Sequence, residues 1–377
     1  MIGLHFTLRL AMMIMKEAML YVRENDGRIR CLLCRHACLI DDGKSGICNV
    51  RKNENGRLFS IFYAKPVAIA TDPIEKKPFF HFSPGSRALS IATPGCNFQC
   101  DFCQNWDISQ YGRNSSRENA KLRTISPGEV VAAAKADGCK NISYTYTEPT
   151  IFFEYAYDIA VLAKKDGLSN NFVTNGYMTR AALDVIAPYL DAANVDLKAF
   201  RKDTYKRVMK AELNGVLDTI KYMKELGLWL EITTLIVPGM NDDEKELADI
   251  ADFIADTGCD IPWHLSRFVP HYRMNDRGAT PISTLRKAYE LGKKAGLRYV
   301  YLGNVPGDKN ENTLCYACNA ILIKRTGFAI EENLILRNGD CPFCKTLIDG
   351  VMMSGKPVTR KIRDSGIGTR NPETREP

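Results

Sequence analysis

The sequence lacks a long uninterrupted apolar run. Its most apolar stretch, Met1 to Val22, is broken by His5, Arg9, Lys16 and Glu17, so it fits neither a signal peptide nor a membrane span. Repeats and low-complexity tracts are also missing, which excludes repeat arrays. An excess of one charge is small as well. The formal net charge is +7 over 377 residues, and residues 355–377, with six Lys or Arg against three Asp or Glu, supply +3 of it. The +4 that remains is too thin to expect nucleic acid or an anionic membrane as a partner.

Cysteine is what the chain has in quantity. There are 13, and disulfide-built secreted scaffolds with so many are much shorter than 377 residues. Most of these cysteines fall in tight, ligand-like spacings, so metal binding in a reducing cytoplasm is expected. Met12, Met13, Met15 and Met19 are each candidate starts, and no packed structure is expected for residues 1–15. The expected organisation is a Cys-rich N-terminal subdomain over 16–70, an α/β unit over 71–310, a zinc-ribbon-like module over 311–353 and a disordered tail over 354–377.

The cysteines form three groups. Cys96, Cys100 and Cys103 stand in a Cys-x3-Cys-x2-Cys spacing just after an apolar run, with Phe102 before the last. Four-iron clusters are normally held by four cysteines, so three thiolates leave one iron open for chemistry. A structural zinc knuckle with a distant fourth ligand is the plainer alternative. Cys31, Cys34, Cys38 and Cys48 form a closed set of four, suited to zinc or to an auxiliary iron–sulfur cluster, with a structural metal staple favoured over an electron-transfer role because closed sites are usually structural. Cys315-x2-Cys318 and Cys341-x2-Cys344 make a zinc-ribbon pattern, for which structural zinc is favoured over iron.

Between these groups, short β-branched or apolar runs alternate with amphipathic helices. Strands are expected over 88–92, 141–146, 171–174, 193–197, 230–237, 263–266 and 299–302. Helices are expected over 127–137, 151–165, 179–190, 215–226, 243–256 and 282–295, the first opened by the capping box Ser126-Pro-Gly-Glu129. Such alternation implies parallel βα units, in a partial barrel or in a doubly wound sheet. In a parallel barrel, functional groups sit at the carboxyl ends of strands, which here carry Thr147-Glu148, Asn175, Asp196-Leu-Lys198 and His264. The proline-dense segment Asp72 to Gly85 reads as a fixed loop whose Glu75, Lys76, Lys77 and His81 either line a site or are solvated.

The segments Cys31 to Arg51, Asp72 to Ser86, Cys96 to Trp106, Tyr144 to Thr150 and Cys315 to Cys344 together resemble the AmmeMemoRadiSam-system radical S-adenosylmethionine (SAM) protein family, a relative of pyruvate formate-lyase activating enzyme. The resemblance spans about residues 16 to 353. It implies a partial parallel (β/α)6-type barrel with Cys-rich metal-binding appendages at both ends. It further implies a radical SAM oxidoreductase of the cytoplasm that cleaves SAM at a [4Fe–4S] cluster, giving a 5'-deoxyadenosyl radical for hydrogen abstraction.

Carried onto this sequence, Cys96, Cys100 and Cys103 ligate the cluster and Phe102 lies near the adenine. Thr147-Glu148-Pro149 replaces a Gly-Gly-Glu-Pro motif that holds the SAM amino group, Asp196 and Lys198 match an Asp-x-Lys motif that contacts SAM, and His264 matches a ribose-side histidine. Asn175 completes the candidate cofactor set. The activating enzymes carry an acidic residue where this chain has Val173, which speaks against a shared substrate. The resemblance implies a ferredoxin- or flavodoxin-like electron donor and Amme-type and Memo-type partner proteins. Activation of a glycyl radical enzyme is the alternative within the class, and a non-catalytic zinc scaffold the alternative outside it.

Overall fold

The computed structural model describes residues 15–113 and 122–354. Of the ends expected to be disordered, 1–15 and 354–377, all but Met15 and Ser354 lie outside the described residues.

The centre is an eight-stranded sheet: β1 (Ala68–Pro73), β2 (Arg87–Ala92), β3 (Asn141–Tyr144), β4 (Ser169–Thr174), β5 (Ala192–Asp196), β6 (Trp229–Ile236), β7 (Trp263–Arg267) and β8 (Val300–Gly303). Neighbours in the sheet are also neighbours in sequence, from β8 at one edge to β1 at the other. All pairings from β2 to β8 are parallel, and β1 joins β2 antiparallel. A doubly wound sheet reverses its strand order at a switch point. This one does not, so it is an unclosed barrel. The first half-turn of the segment expected as loop, Asp72-Pro73, instead ends β1, a strand that period and composition alone did not suggest.

Helices α1 (Pro127–Ala136), α2 (Phe153–Lys165), α3 (Arg180–Ile186), α4 (Leu213–Glu225), α5 (Glu244–Thr257) and α6 (Ile282–Lys294) lie in the six connections from β2 to β8. Local chemistry fixes the starts of three of them. The Ser126 hydroxyl accepts from Glu129 N–H while the Glu129 carboxylate accepts from Ser126 N–H, closing the capping box. Thr179 and Asp243 cap α3 and α5 in the same sense.

The two faces of the sheet differ. Outward residues such as Ile91, Ile142, Phe172, Val195 and Ile232 are fully buried and belong to the main apolar core. The inward set, including Ser143, Asn171, Asn194, Glu231, Thr233 and His264, is polar but equally buried. What fills the barrel beside them is the proline-dense segment: Phe79, Phe80, His81 and Phe82 are all buried. Glu231 pins it, its carboxylate accepting from the backbone N–H of Phe80 (3.0 Å) and His81 (2.8 Å), from Trp229 Nε1 (3.1 Å) and from His264 Nε2 (2.6 Å). Burial would raise the pKa of Glu231, but the bond and charge of His264 outweigh it and hold the carboxyl below its ordinary range.

His81 links this plug to the C-terminal module. Its Nδ1 donates to Asp349 O (2.7 Å), so its Nε2 accepts from the Tyr301 hydroxyl (2.6 Å), which in turn accepts from Thr313 Oγ1 (2.9 Å), itself an acceptor for Arg325 Nη1 (2.7 Å). This direction of the bonds is that of a neutral imidazole. Burial pushes the His81 pKa down from 6.5 to about 4, with Glu231 and Asp349 opposing and Arg325 assisting. Unfolded His81 gains a proton near 6.5 and folded His81 only near 4, so the contribution is complete above that window and falls as the pH drops through it. The expected loss is about 3 kcal/mol. Denaturant unfolding across this pH range checks it: His81→Gln protein should lose stability less steeply than wild type, and equal slopes would remove His81 as the source.

The appendages are small antiparallel sheets. At the N-terminal side one contains Lys16–Glu17, Arg51–Glu54 and Arg57–Ser60, and another Tyr21–Arg23, Ile29–Cys31 and Leu39–Ile40. Thr313–Leu314, Ile321–Thr326 and Ala329–Asn333 form the C-terminal one, whose Leu322 and Ile323, with Ile335 just after it, share a core with Phe80, Tyr299 and Tyr301.

Candidate functional site

Gly95 turns the chain out of β2 with φ of +100°, and the loop that follows carries Cys96, Cys100 and Cys103. The three thiols face a cavity of about 390 Å³ at the carboxyl ends of the strands, where Phe102, Thr147, Asn175, Asp196 and Lys198 also form the wall. Eight of the ten residues expected at this centre are thus brought together. Burial pushes all three thiols above their ordinary range, Cys100 to about 12, and the nearby Lys198 ammonium only partly offsets this for Cys100 and Cys103. Thiols so buried ionise only against a bound cation, and metal loading must release their protons.

Lys198 Nζ donates to Asp196 Oδ2 at 2.7 Å and stands 5.9 Å from the centre of the Phe102 ring. Burial disfavours its charge, but Asp196 and Cys100 more than compensate and hold its pKa above the ordinary value. The Asn175 amide donates to Asn97 Oδ1 at 2.7 Å and points at Cys96 Sγ, 3.9 Å away. Two buried donors beside this loop, Thr93 Oγ1 and Asn97 Nδ2, have no hydrogen-bond partner among the described residues. Buried polar atoms are rarely left so. Three converging thiols flanked by orphaned donors fit an iron–sulfur cluster, whose sulfides accept hydrogen bonds.

Two expected residues are placed differently. Glu148 is fully buried and absent from the cavity wall. Its carboxylate accepts from Thr150 N (3.0 Å), Thr150 Oγ1 (2.5 Å), Thr174 Oγ1 (2.7 Å) and Asn175 N (2.8 Å), so it ties the ends of β3 and β4 together. Burial raises its pKa despite those four donors. His264 shares the inward face with Ser266, which lines the cavity, but sits one residue pair lower and turns its ring to Glu231, edge-on to Phe80. It belongs to the barrel filling. Its position in sequence marked the strand correctly but not the depth.

Lys76, Lys77 and Tyr146 were not foreseen as one group, yet all line the cavity. Lys77, with its side chain only 3% exposed, donates to Asp72 Oδ2 (2.7 Å) and Tyr146 OH (3.1 Å), and Tyr146 OH donates to Asp72 Oδ2 (2.7 Å). The sequence signal was Lys76 and Lys77 in a proline-fixed segment, which left solvation and site equally open. Glu75 and His81 of that segment are buried away from the cavity.

The satellite cysteines also assemble. Cys31, Cys34, Cys38 and Cys48 line one small cavity of their own. Cys315, Cys318, Cys341 and Cys344 bring their sulfurs within 4.8 Å of one another, with Cys315 to Cys344 at 3.5 Å and Cys318 to Cys341 at 3.7 Å. No helix among the described residues is long and apolar enough to cross a membrane.

Comparison with known proteins agrees with this geometry. Residues 90–251 match the family model of the radical SAM superfamily. An uncharacterized protein of Methanocaldococcus jannaschii is 44% identical over 340 residues, covering 90% of this chain and 100% of that protein. The pyruvate formate-lyase 1-activating enzyme of Escherichia coli is 22% identical over 180 residues, 46% of this chain and 71% of that enzyme. GTP 3',8-cyclase of Lactiplantibacillus plantarum is 23% identical over 266 residues, 64% of this chain and 76% of that enzyme. The chain belongs to the radical SAM superfamily, as an enzyme related to the activating enzymes of glycyl radical systems.

Proposed function

We propose that this enzyme reductively cleaves SAM and directs the resulting 5'-deoxyadenosyl radical to hydrogen abstraction from a substrate, with Amme-type and Memo-type proteins as partners. The observation that carries the reading is convergence: three thiols, the Asp196–Lys198 pair and the Asn175 amide share one cavity. When bound, a four-iron cluster with one open iron and SAM on that iron supply the radical chemistry.

The chain's own residues bind and orient. Cys96, Cys100 and Cys103 are the cluster ligands, and Thr93 and Asn97 offer it their unpaired donors. Lys198, held charged by Asp196, is suited to the methionyl carboxylate, and Phe102 offers its ring to the adenine. Thr147 and Asn175 present polar groups at the strand ends. Glu148 is a positioning residue that acts through Asn175 and Thr174. A ferredoxin- or flavodoxin-like protein of the cytoplasm supplies the electron.

The C-terminal quartet suits a structural zinc, since tetrahedral Zn–S bonds of about 2.3 Å place sulfurs about 3.8 Å apart. The proposed partners rest on the resemblance that runs from about residue 16 to 353.

The test is anaerobic reconstitution with iron and sulfide, then reduction with dithionite in the presence of SAM. Wild-type protein should release 5'-deoxyadenosine and Cys100→Ala protein essentially none. Absence of product from cluster-loaded wild type would overturn the reading.

A further inference from the structure

We propose that Lys76, Lys77 and Tyr146 receive an oxyanion of the substrate, a phosphate or carboxylate group of the molecule from which hydrogen is abstracted. The inference rests on the reading of the cavity as the SAM site and adds the chemical class of the substrate. Three observations carry it.

The first is unbalanced charge. Two ammonium groups meet one carboxylate, Lys76 Nζ donating to Asp72 Oδ1 at 2.8 Å and Lys77 Nζ to Asp72 Oδ2 at 2.7 Å. Both lysines line the cavity, and Asp72 does not. One positive charge of the three therefore stays without a counter-charge. Burial pulls the Lys77 pKa down, and the attraction of Asp72, opposed by the neighbouring Lys76, does not make up the difference. An anion in the cavity would.

The second is an unused donor. Lys77 directs two of its three N–H groups to Asp72 and to Tyr146 OH, and no partner for the third is present among the described residues. Its side chain is only 3% exposed, so water does little to replace that partner.

The third is the backbone of Tyr146, whose φ of +62° is a left-handed conformation that an aromatic residue adopts only when its surroundings hold it. Asn105 Nδ2, two residues past Cys103, donates to the Tyr146 carbonyl at 2.7 Å, and the Tyr146 hydroxyl donates to Asp72 Oδ2 at 2.7 Å. Burial and then Asp72 push the phenol up to about 12, so it stays a donor. Tyr146 thus joins the cluster loop to the lysines. A simple ion pair fixing the proline-dense segment would need neither the second lysine nor a tyrosine held in this way. Lys76, with its side chain 46% exposed, is where this wall reaches solvent, so the rest of a substrate can extend outward there.

The test is titration calorimetry on cluster-loaded protein saturated with SAM and left unreduced, so that no SAM is cleaved. Inorganic phosphate is the probe in one arm and acetate in the other, and the arm that binds identifies the group. Wild-type protein should bind at least one of them saturably, and Lys77→Met should weaken that binding about 10–100-fold, the loss of one charge-assisted contact in a desolvated site. SAM affinity of the same variant should stay near the wild-type value. Should Lys77→Met not fold, Lys76→Met, altered at a half-exposed side chain, is read in the same way. Absence of saturable binding of either anion to wild type would overturn the proposal, as would unchanged anion binding in both variants. So would a fall in SAM affinity equal to the fall in anion affinity, because it assigns the lysines to SAM itself. Failure of the SAM reading shows separately, as absence of 5'-deoxyadenosine from reduced wild type, while the dependence of anion binding on the lysines is read without turnover.

Discussion

Arg51→Ala protein is expected to lose about 3–5 kcal/mol of folding stability, among the largest effects of any single change away from the cysteines. Arg51 belongs to an N-terminal strand, and Glu154 to the first turn of α2 in the barrel. Two parallel bonds join them, Nη1 to Oε2 at 2.7 Å and Nη2 to Oε1 at 2.9 Å, with side chains 2% and 0% exposed. Met19 N also donates to Glu154 Oε1 at 2.9 Å. Burial alone would raise the carboxyl pKa, yet Arg51 holds it below the ordinary range.

Removing the guanidinium leaves a carboxylate with no water and no counter-charge, which is why one-sided loss is so costly. Replacing both partners removes that penalty. Arg51→Met/Glu154→Leu protein should therefore recover most of the loss, short of about 1 kcal/mol for the hydrogen bond to Met19. Denaturant unfolding of metal-loaded single and double variants measures the cycle. A double variant as unstable as the sum of the singles would show that the two side chains act independently.

The second large effect is on cofactor affinity. Lys198→Ala is expected to weaken SAM binding about 10–100-fold, the loss of one charge-assisted contact in a partly desolvated site. Its cluster absorption should remain at the wild-type level, because the three thiols stand in the loop after β2 while Lys198 follows β5. Titration calorimetry on reconstituted protein reads the affinity, and the visible spectrum reads the cluster. Unchanged affinity would take Lys198 out of the proposed carboxylate contact. Asp196 is expected to act mainly through the lysine, since its carboxylate holds the ammonium at 2.7 Å.

The relation to enzymes as different as a pyruvate formate-lyase activating enzyme and a GTP cyclase fits a division within the site. The cluster loop and the β5 pair are the part suited to SAM. The same cavity is also lined by Lys76, Lys77, Tyr146, Val173 and Ser266. Val173 is an apolar residue at a position where the activating enzymes are expected to be acidic.

Most of the architecture could be read in one dimension. Parallel strands with both faces covered form apolar runs, three of the six helix starts carry a Ser, Thr or Asp cap, and metal loops carry cysteines at fixed spacing, so each of these announces itself locally. The seven parallel strands and six helices fall where period and caps placed them, as does the convergence of Cys96, Cys100, Cys103, Asp196 and Lys198 on one cavity. Only the tertiary structure decided what depends on depth and on distant partners. Strand-end position put Glu148 and His264 in the site, but depth along the strand and the supply of buried donors turned both inward. The strand β1 was hidden because its pairing with β2 is set by register across a loop, not by its own pattern. Sequence spacing could count four cysteines in each of the two satellite groups, but the convergence of each group on one place is set by how the backbone packs around it.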